Sequence, residues 1–198
     1  MINRKFFFDN AKLTLFGGRF TTKQVNGLTV ILDQWEANYA DQDDRWLAYM
    51  LATVHHETGR TIEPIEEWGK GKGLPYGSRL KMARGSNGKR IPYTNTTELF
   101  YGRGYVQLTW YENYDKAGIK LGKDFLHHAA DVMEVHNATK IMFYGMTEGW
   151  FTGAKLSKYF NTTTEDWKNA RRIINGLDKA DLIKDIALKY YASISYTR

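Results

Sequence analysis

A chain of 198 residues with 42% hydrophobic and 15% aromatic content can bury one good core and is expected to form a single domain over 1–198. It has no cysteine, which excludes a disulfide framework and thiolate chemistry and leaves packing to hold the fold. Residues 68–97 carry seven cations (Lys70, Lys72, Arg79, Lys81, Arg84, Lys89 and Arg90) and no acid, against a formal net charge of +6, which leaves −1 for the remainder. The basicity is therefore local. It suits an anionic partner, with an ordinary solvated loop as the alternative.

The opening stretch MINRKFFFDNAKLTLFGGRF has a basic start, but Asp9, Asn10 and Lys12 break its apolar run. It makes neither a signal peptide nor a membrane span, and no other uncharged run approaches the roughly 20 residues a bilayer requires. A chain without stable membrane insertion or self-export is expected. From Thr21, an N-cap candidate, Val25, Leu28, Leu32, Trp35 and Tyr39 recur at helical spacing. The acidic DQDD at 41–44 then caps a second helix with Trp46, Leu47, Met50, Leu51 and Val54 as its apolar set, and Gly59 is placed to stop it. Residues 69–95 hold six glycines and two prolines among the basic residues and read as a long irregular excursion. The alternation in YVQLTW, residues 105–110, predicts a short extended segment running into a turn and helix. Helical patterns follow at about 131–147, 165–173 and 179–194, the last with Leu182, Ile183, Ile186, Tyr190 and Ile194 on one face.

The helix that starts at DQDD ends on a carboxylate. At about 100° per residue Glu57 falls about 20° from both Trp46 and Met50, inside the apolar sector and in the last turn, where the macrodipole is negative. Both influences disfavour the charged form, so a raised pKa is expected, as a general acid requires. The competing reading is a side chain curling out to solvent at a frayed end. His55 and His56 point off that sector and read as structural or hydrogen-bonding residues. A metal site is not expected: HETGR has Arg60 where an H-E-x-x-H site needs its second histidine, and His127, His128 and His136 lie far off in sequence. Hydrolysis of a glycosidic bond needs a protonated carboxyl and an ionised one, and Glu63, Glu66 and Glu67 are the candidates for the second. An acidic surface turn is the plain alternative for that cluster.

HHETG, EPIEEW, FYGRGYVQLTWYENYDKAG and ARRIINGLDKAD, anchored from residue 55 to 181, resemble in order and spacing the glycoside hydrolase family 19 chitinases, and among them the lysozyme-like endolysins of bacteriophages. The resemblance implies a mainly α, lysozyme-like two-lobed fold with a small β element and a central cleft. It implies Glu57 as general acid and a second carboxylate about nine residues on, which selects Glu66, with Glu67 one step away. Thr109 matches the hydroxyl residue that helps hold the attacking water. Gln107, Asn113 and Asn175 match substrate-contacting positions. Amide groups of this kind suit N-acetyl and hydroxyl groups, and Tyr101, Tyr105, Trp110 and Tyr111 offer faces for sugar rings, with a core role the alternative for Tyr105 and Trp110. Arg103 reads as an anchor for one of the acids. Unlike plant members of the family, this chain has no disulfides, its arm bearing the second acid is short and followed by a basic segment, and no separate wall-binding domain is seen.

The function these features imply is that of an endolysin of the muramidase type. It would be a monomer without cofactor, made in the host bacterial cytoplasm, and would act on peptidoglycan in the periplasm after holin-type release, with residues 68–97 touching the anionic envelope. The alternatives are a chitinase acting on N-acetylglucosamine polymers and a non-catalytic glycan-binding module. Nucleic acid is not an expected partner, because only Tyr76 and Tyr93 interrupt the basic run.

Overall fold

The computed structural model describes residues 1–85 and 88–197. In chain order its elements are α1 (Arg4–Leu15), α2 (Thr22–Asn38), α3 (Asp44–Glu57), β1 (Ile65–Glu66), β2 (Leu80–Met82), β3 (Arg90–Pro92), β4 (Arg103–Gly104), α4 (Tyr111–Leu121), α5 (Val135–Glu148), α6 (Leu156–Tyr159) and α7 (Ala180–Ser193). Single 3-10 turns lie at Pro75–Gly77, Ala129–Met133 and Asn169–Ile173. The mainly α class is as expected. Among the described residues no helix is long and apolar enough to cross a membrane. The chain divides into two compact units, one of Met1–Glu63 with the chain from Met142 onward, the other Pro64–Ile141.

In the first unit α3 is the central element, and every residue from Leu47 to His55 is buried. A helix apolar on all sides has to be wrapped by others; α7 packs along it, α1 packs on α7, and α2 also reaches α3. The starts of these helices follow local chemistry. Thr21 and Gln24 form a reciprocal capping box at α2, with Gln24 N donating to Thr21 Oγ1 at 3.2 Å and Thr21 N to Gln24 Oε1 at 2.8 Å. Asp43 caps α3 by accepting from Arg45 N at 3.0 Å. Helix α1 has no counterpart among the expected elements: Asn3 caps it and Phe7, Ala11 and Leu15 form its buried stripe. The apolar face expected on α7 shifts by one position, since Ile183, Ala187 and Tyr190 are buried and Leu182 is half exposed. Of the pattern at 165–173 only the 3-10 turn Asn169–Ile173 forms, and that at 131–147 becomes a 3-10 turn followed by α5.

In the second unit, β1 pairs antiparallel with β4, Ile65 opposite Gly104 and Glu66 opposite Arg103. The excursion at 69–95 is not irregular throughout, because β2 and β3 form a hairpin with Lys81 opposite Ile91; Ser86 and Asn87 lie outside the described residues. The extended segment expected at YVQLTW lies two residues earlier. Tyr105–Gln107 is the turn, and Leu108 bridges back to Arg103. Phe100, Tyr105, Tyr114, Phe125 and Val132 are the buried centre of this unit, which settles Tyr105 as a core residue.

Candidate active site

Glu57 closes α3 on a fixed terminus. Gly59, at φ +56°, donates its N–H to His56 O at 3.1 Å, and Arg60 donates to His55 O at 2.8 Å. This is the paired arrangement that ties off a helix with a left-handed residue after the cap. Thr58 adds a hydroxyl bond to Val54 O at 2.7 Å. The last turn is therefore held, and Glu57 does not curl out: its side chain is 17% exposed and Oε1 accepts from Arg171 Nη1 at 2.7 Å. Arg171, on the 3-10 turn Asn169–Ile173, is 4% exposed and also donates from Nε to Asp178 O at 3.1 Å.

The neighbouring histidine is structural, as expected. Buried His55 places Nδ1 3.0 Å from the Tyr190 hydroxyl, and burial, aided by Arg60, His56 and Lys189, pushes its pKa down to about 4. Asn175 lies in the same unit as Glu57, exposed, with its N–H on Arg171 O at 3.1 Å and its own Oδ1 accepting from Gly176 N at 2.8 Å.

The other predicted residues lie in the second unit. Glu66 ends β1 and Glu67 directly follows it, and the two have separate partners. Glu66 accepts from the Tyr101 hydroxyl at 2.7 Å, from Arg103 Nε at 3.2 Å and from Lys70 Nζ at 3.0 Å. The Tyr101 bond, joined by those from Lys70 and Arg103, brings its pKa down to about 2 against an opposing desolvation second in size only to the Tyr101 bond. Arg103 is the anchor expected: it is buried, donates from Nη1 to Leu99 O at 2.9 Å and to the Tyr114 hydroxyl at 3.1 Å, and lies 3.6 Å from the Tyr101 ring centroid. Tyr101, expected to offer a ring face to a sugar, is buried with one face covered by Arg103.

Glu67 accepts from the Tyr76 hydroxyl at 2.7 Å and from Gly102 N at 3.0 Å. Gly102 leaves room for that approach, since a Cβ there would stand 2.7 Å from Gln107 Oε1 and 3.3 Å from Glu67 Oε2. Gln107 donates from Nε2 to Ile65 O at 3.3 Å. Glu66, Glu67, Tyr101 and Gln107 are thereby gathered on the β1–β4 ladder. Thr109 and Asn113 are joined by the Asn113 Nδ2 bond to Thr109 O at 2.7 Å. Gln107 at φ +53° and Trp110 at φ +74° are left-handed without being glycine, a strain of about 1–3 kcal/mol each that a working site tends to retain. Trp110 lies against the Arg90 guanidinium, 3.3 Å from its ring centroid.

Two residues given no role by the sequence belong here. Arg171 was visible only as a cation inside the apolar ARRII stretch. Trp68, next to Glu67, is 99% exposed, an aromatic ring left entirely in solvent.

The glycoside hydrolase family 19 model, described as chitinase class I, matches residues 35–171. Among solved structures, chitinase C from Streptomyces griseus HUT6037 aligns with a TM-score of 0.58 at 22% identity, over 94% of this chain and 72% of that one. The family GH19, class IV chitinase from Zea mays aligns with a TM-score of 0.53 at 20% identity, over 93% and 86%. No curated protein matches the chain at the same stringency. At such identities the structures speak for the mainly α, lysozyme-like fold, while the family match takes in more than half the chain, from Trp35 through Glu57, Glu66 and the GRG block to Arg171. The chain belongs to glycoside hydrolase family 19 and is a glycoside hydrolase.

Proposed function

We propose that the protein is an endolysin of the muramidase type, made in a host bacterial cytoplasm, that hydrolyses the glycan strands of peptidoglycan after holin-type release. Glu57 is the general acid that protonates the leaving oxygen. Glu66 is the ionised partner: a carboxylate of such low pKa is a weak proton acceptor, and it contributes chiefly by facing the positive charge of the oxocarbenium-like transition state and orienting the attacking water. Thr109 helps hold that water. Gln107, Asn113 and Asn175 bind N-acetyl and hydroxyl groups, and Trp68 offers a ring face to a sugar.

The observation that carries the peptidoglycan reading is the exposed cationic run Lys72, Arg79, Arg84 and Lys89 in the same unit as Glu66. Bacterial wall is anionic, whereas chitin is neutral and gives such a run nothing to meet. The second reading, a chitinase acting on N-acetylglucosamine polymers, is favoured by the description of the family and by the names of the structural relatives.

The test is mass spectrometry of borohydride-reduced products from purified sacculi. Wild type is expected to yield reduced muramic acid ends. Glu57→Gln, which keeps an Oε1 acceptor for Arg171 and so its fold, is expected to lose about 10²–10⁴-fold in rate. Reduced glucosamine ends would move the cut to the other bond. Intact sacculi beside cleaved chitin oligomers would overturn the endolysin reading in favour of the chitinase, and full activity of Glu57→Gln would remove the acid assignment.

A further inference from the structure

Between the β2–β3 hairpin and α4, the second unit carries an open groove of about 510 Å³ that holds none of the residues assigned to the chemical step. Glu112 on α4 ties its two walls together, accepting from the Met82 backbone N–H and from Arg90 Nη1 at 2.7 Å. Apolar side chains line it. Met82 is 41% exposed, Ile91 37% and Ile119 78%, and Tyr111 lies beside them. Lys81, Arg84 and Lys116 stand around this floor. Of the two carboxylates in the walls, Glu112 is matched by Arg90 and Asp115 is left against three cations.

A soluble polyanion would account for the cations and leave the three exposed aliphatic side chains unexplained. A neutral apolar ligand would account for the aliphatics and leave the cations unexplained. An amphiphile with an anionic head uses both, because the phosphates meet the lysines and arginine while the aliphatic side chains enter the boundary between headgroups and acyl chains. We propose that this groove docks the protein reversibly on a bilayer rich in acidic phospholipid, with Lys81, Arg84 and Lys116 on the headgroups and Met82, Ile91 and Ile119 below them. The proposal goes beyond the glycosidase reading and does not depend on it.

The test is co-sedimentation of the full chain with vesicles of phosphatidylcholine alone and of phosphatidylcholine mixed with phosphatidylglycerol. Binding is expected only to the mixed vesicles. Combining Lys81→Ala, Arg84→Ala and Lys116→Ala is expected to weaken it by about tenfold or more. Ile119→Ser, with the charge unchanged, is expected to weaken it several-fold. Both variants should keep the wild-type melting temperature, and Ile119→Ser, which lies outside the cationic run assigned to the wall, should keep the wild-type rate on a soluble glycan, so a loss of its vesicle binding is separate from any failure of the hydrolase reading. Equal binding to neutral vesicles, or wild-type binding by the triple variant, would overturn the proposal. Wild-type binding by Ile119→Ser, or full displacement by soluble inorganic polyphosphate, would reduce the groove to a free-anion contact and overturn it as well.

Discussion

Each of the two glutamates assigned to catalysis is bonded to a buried arginine that is itself fixed by backbone carbonyls, Glu57 to Arg171 and Glu66 to Arg103. A planar guanidinium with several donors engaged holds its carboxylate in one orientation, which a lysine in the same place would not do. The contrast lies in number: Glu66 has two further donors, Tyr101 and Lys70. Trp68 is set apart from both networks by its complete exposure. A ring so placed contributes to affinity and not to the chemical step, since it meets substrate and transition state alike. Trp68→Ala is accordingly expected to raise KM for the glycan several-fold, with kcat within about twofold and the melting temperature unchanged. An unchanged KM would remove Trp68 from the substrate path.

At the scale of elements, the turn that ends α3 decides whether Glu57 is presented at all. Gly59 has open space where a Cβ would go, so replacing it costs only the left-handed backbone conformation. Gly59→Ala is expected to lose about 1 kcal/mol, or about 2–4 °C in Tm, and to lower kcat as the last turn loosens. Gly59→Asn, which tolerates that conformation, is expected to recover most of both. A calorimetric scan beside steady-state kinetics checks this; equal Tm for Ala and wild type would show that the terminus is held by Thr58 alone.

Local chemistry of this kind was legible in the sequence. Thr21, Asp43 and Gly59 bound their helices because a cap acts within a few residues. Helix α1 was hidden because its stripe of Phe7, Ala11 and Leu15 is narrow and Asp9, Asn10 and Lys12 lie between its members. The β2–β3 hairpin was hidden because three-residue strands are too short to show alternation. The alternation of YVQLTW misled because Gln107 turns the chain with a positive φ. Glu57 and Glu66 were marked by their motifs, but the Arg171 partner of Glu57 lies 114 residues away and no periodicity reports a pairing at that distance.

For the whole molecule, two groups set opposite ends of its acid response. His55 in the first unit has a folded pKa of about 4 against an ordinary 6.5. Below pH 6.5 the unfolded chain takes up a proton that the folded one refuses, so stability is full above 6.5 and drains as pH falls to about 4. Glu66 in the second unit, lowered from 4.5 to about 2, contributes stability that is full above 4.5 and is lost as pH falls to about 2. Its side chain is one-third exposed, so solvent screening makes its share the smaller. Melting temperature followed from pH 7 to pH 2.5 is expected to lose its slope between 6.5 and 4 in His55→Gln and between 4.5 and 2.5 in Glu66→Gln. A His55→Gln curve parallel to wild type through the upper window would contradict the first assignment.

The packing of α3 on α7 also has a consequence for how the protein is made. Residues 47–55 leave the ribosome early, but the helix that covers them begins only at Ala180. The most deeply buried helix of the chain therefore waits without its main cover until α7 has been made, and any product cut short before Ala180 leaves it exposed. Synthesis through α7, and not the appearance of the motif residues, is the step that licenses an active fold.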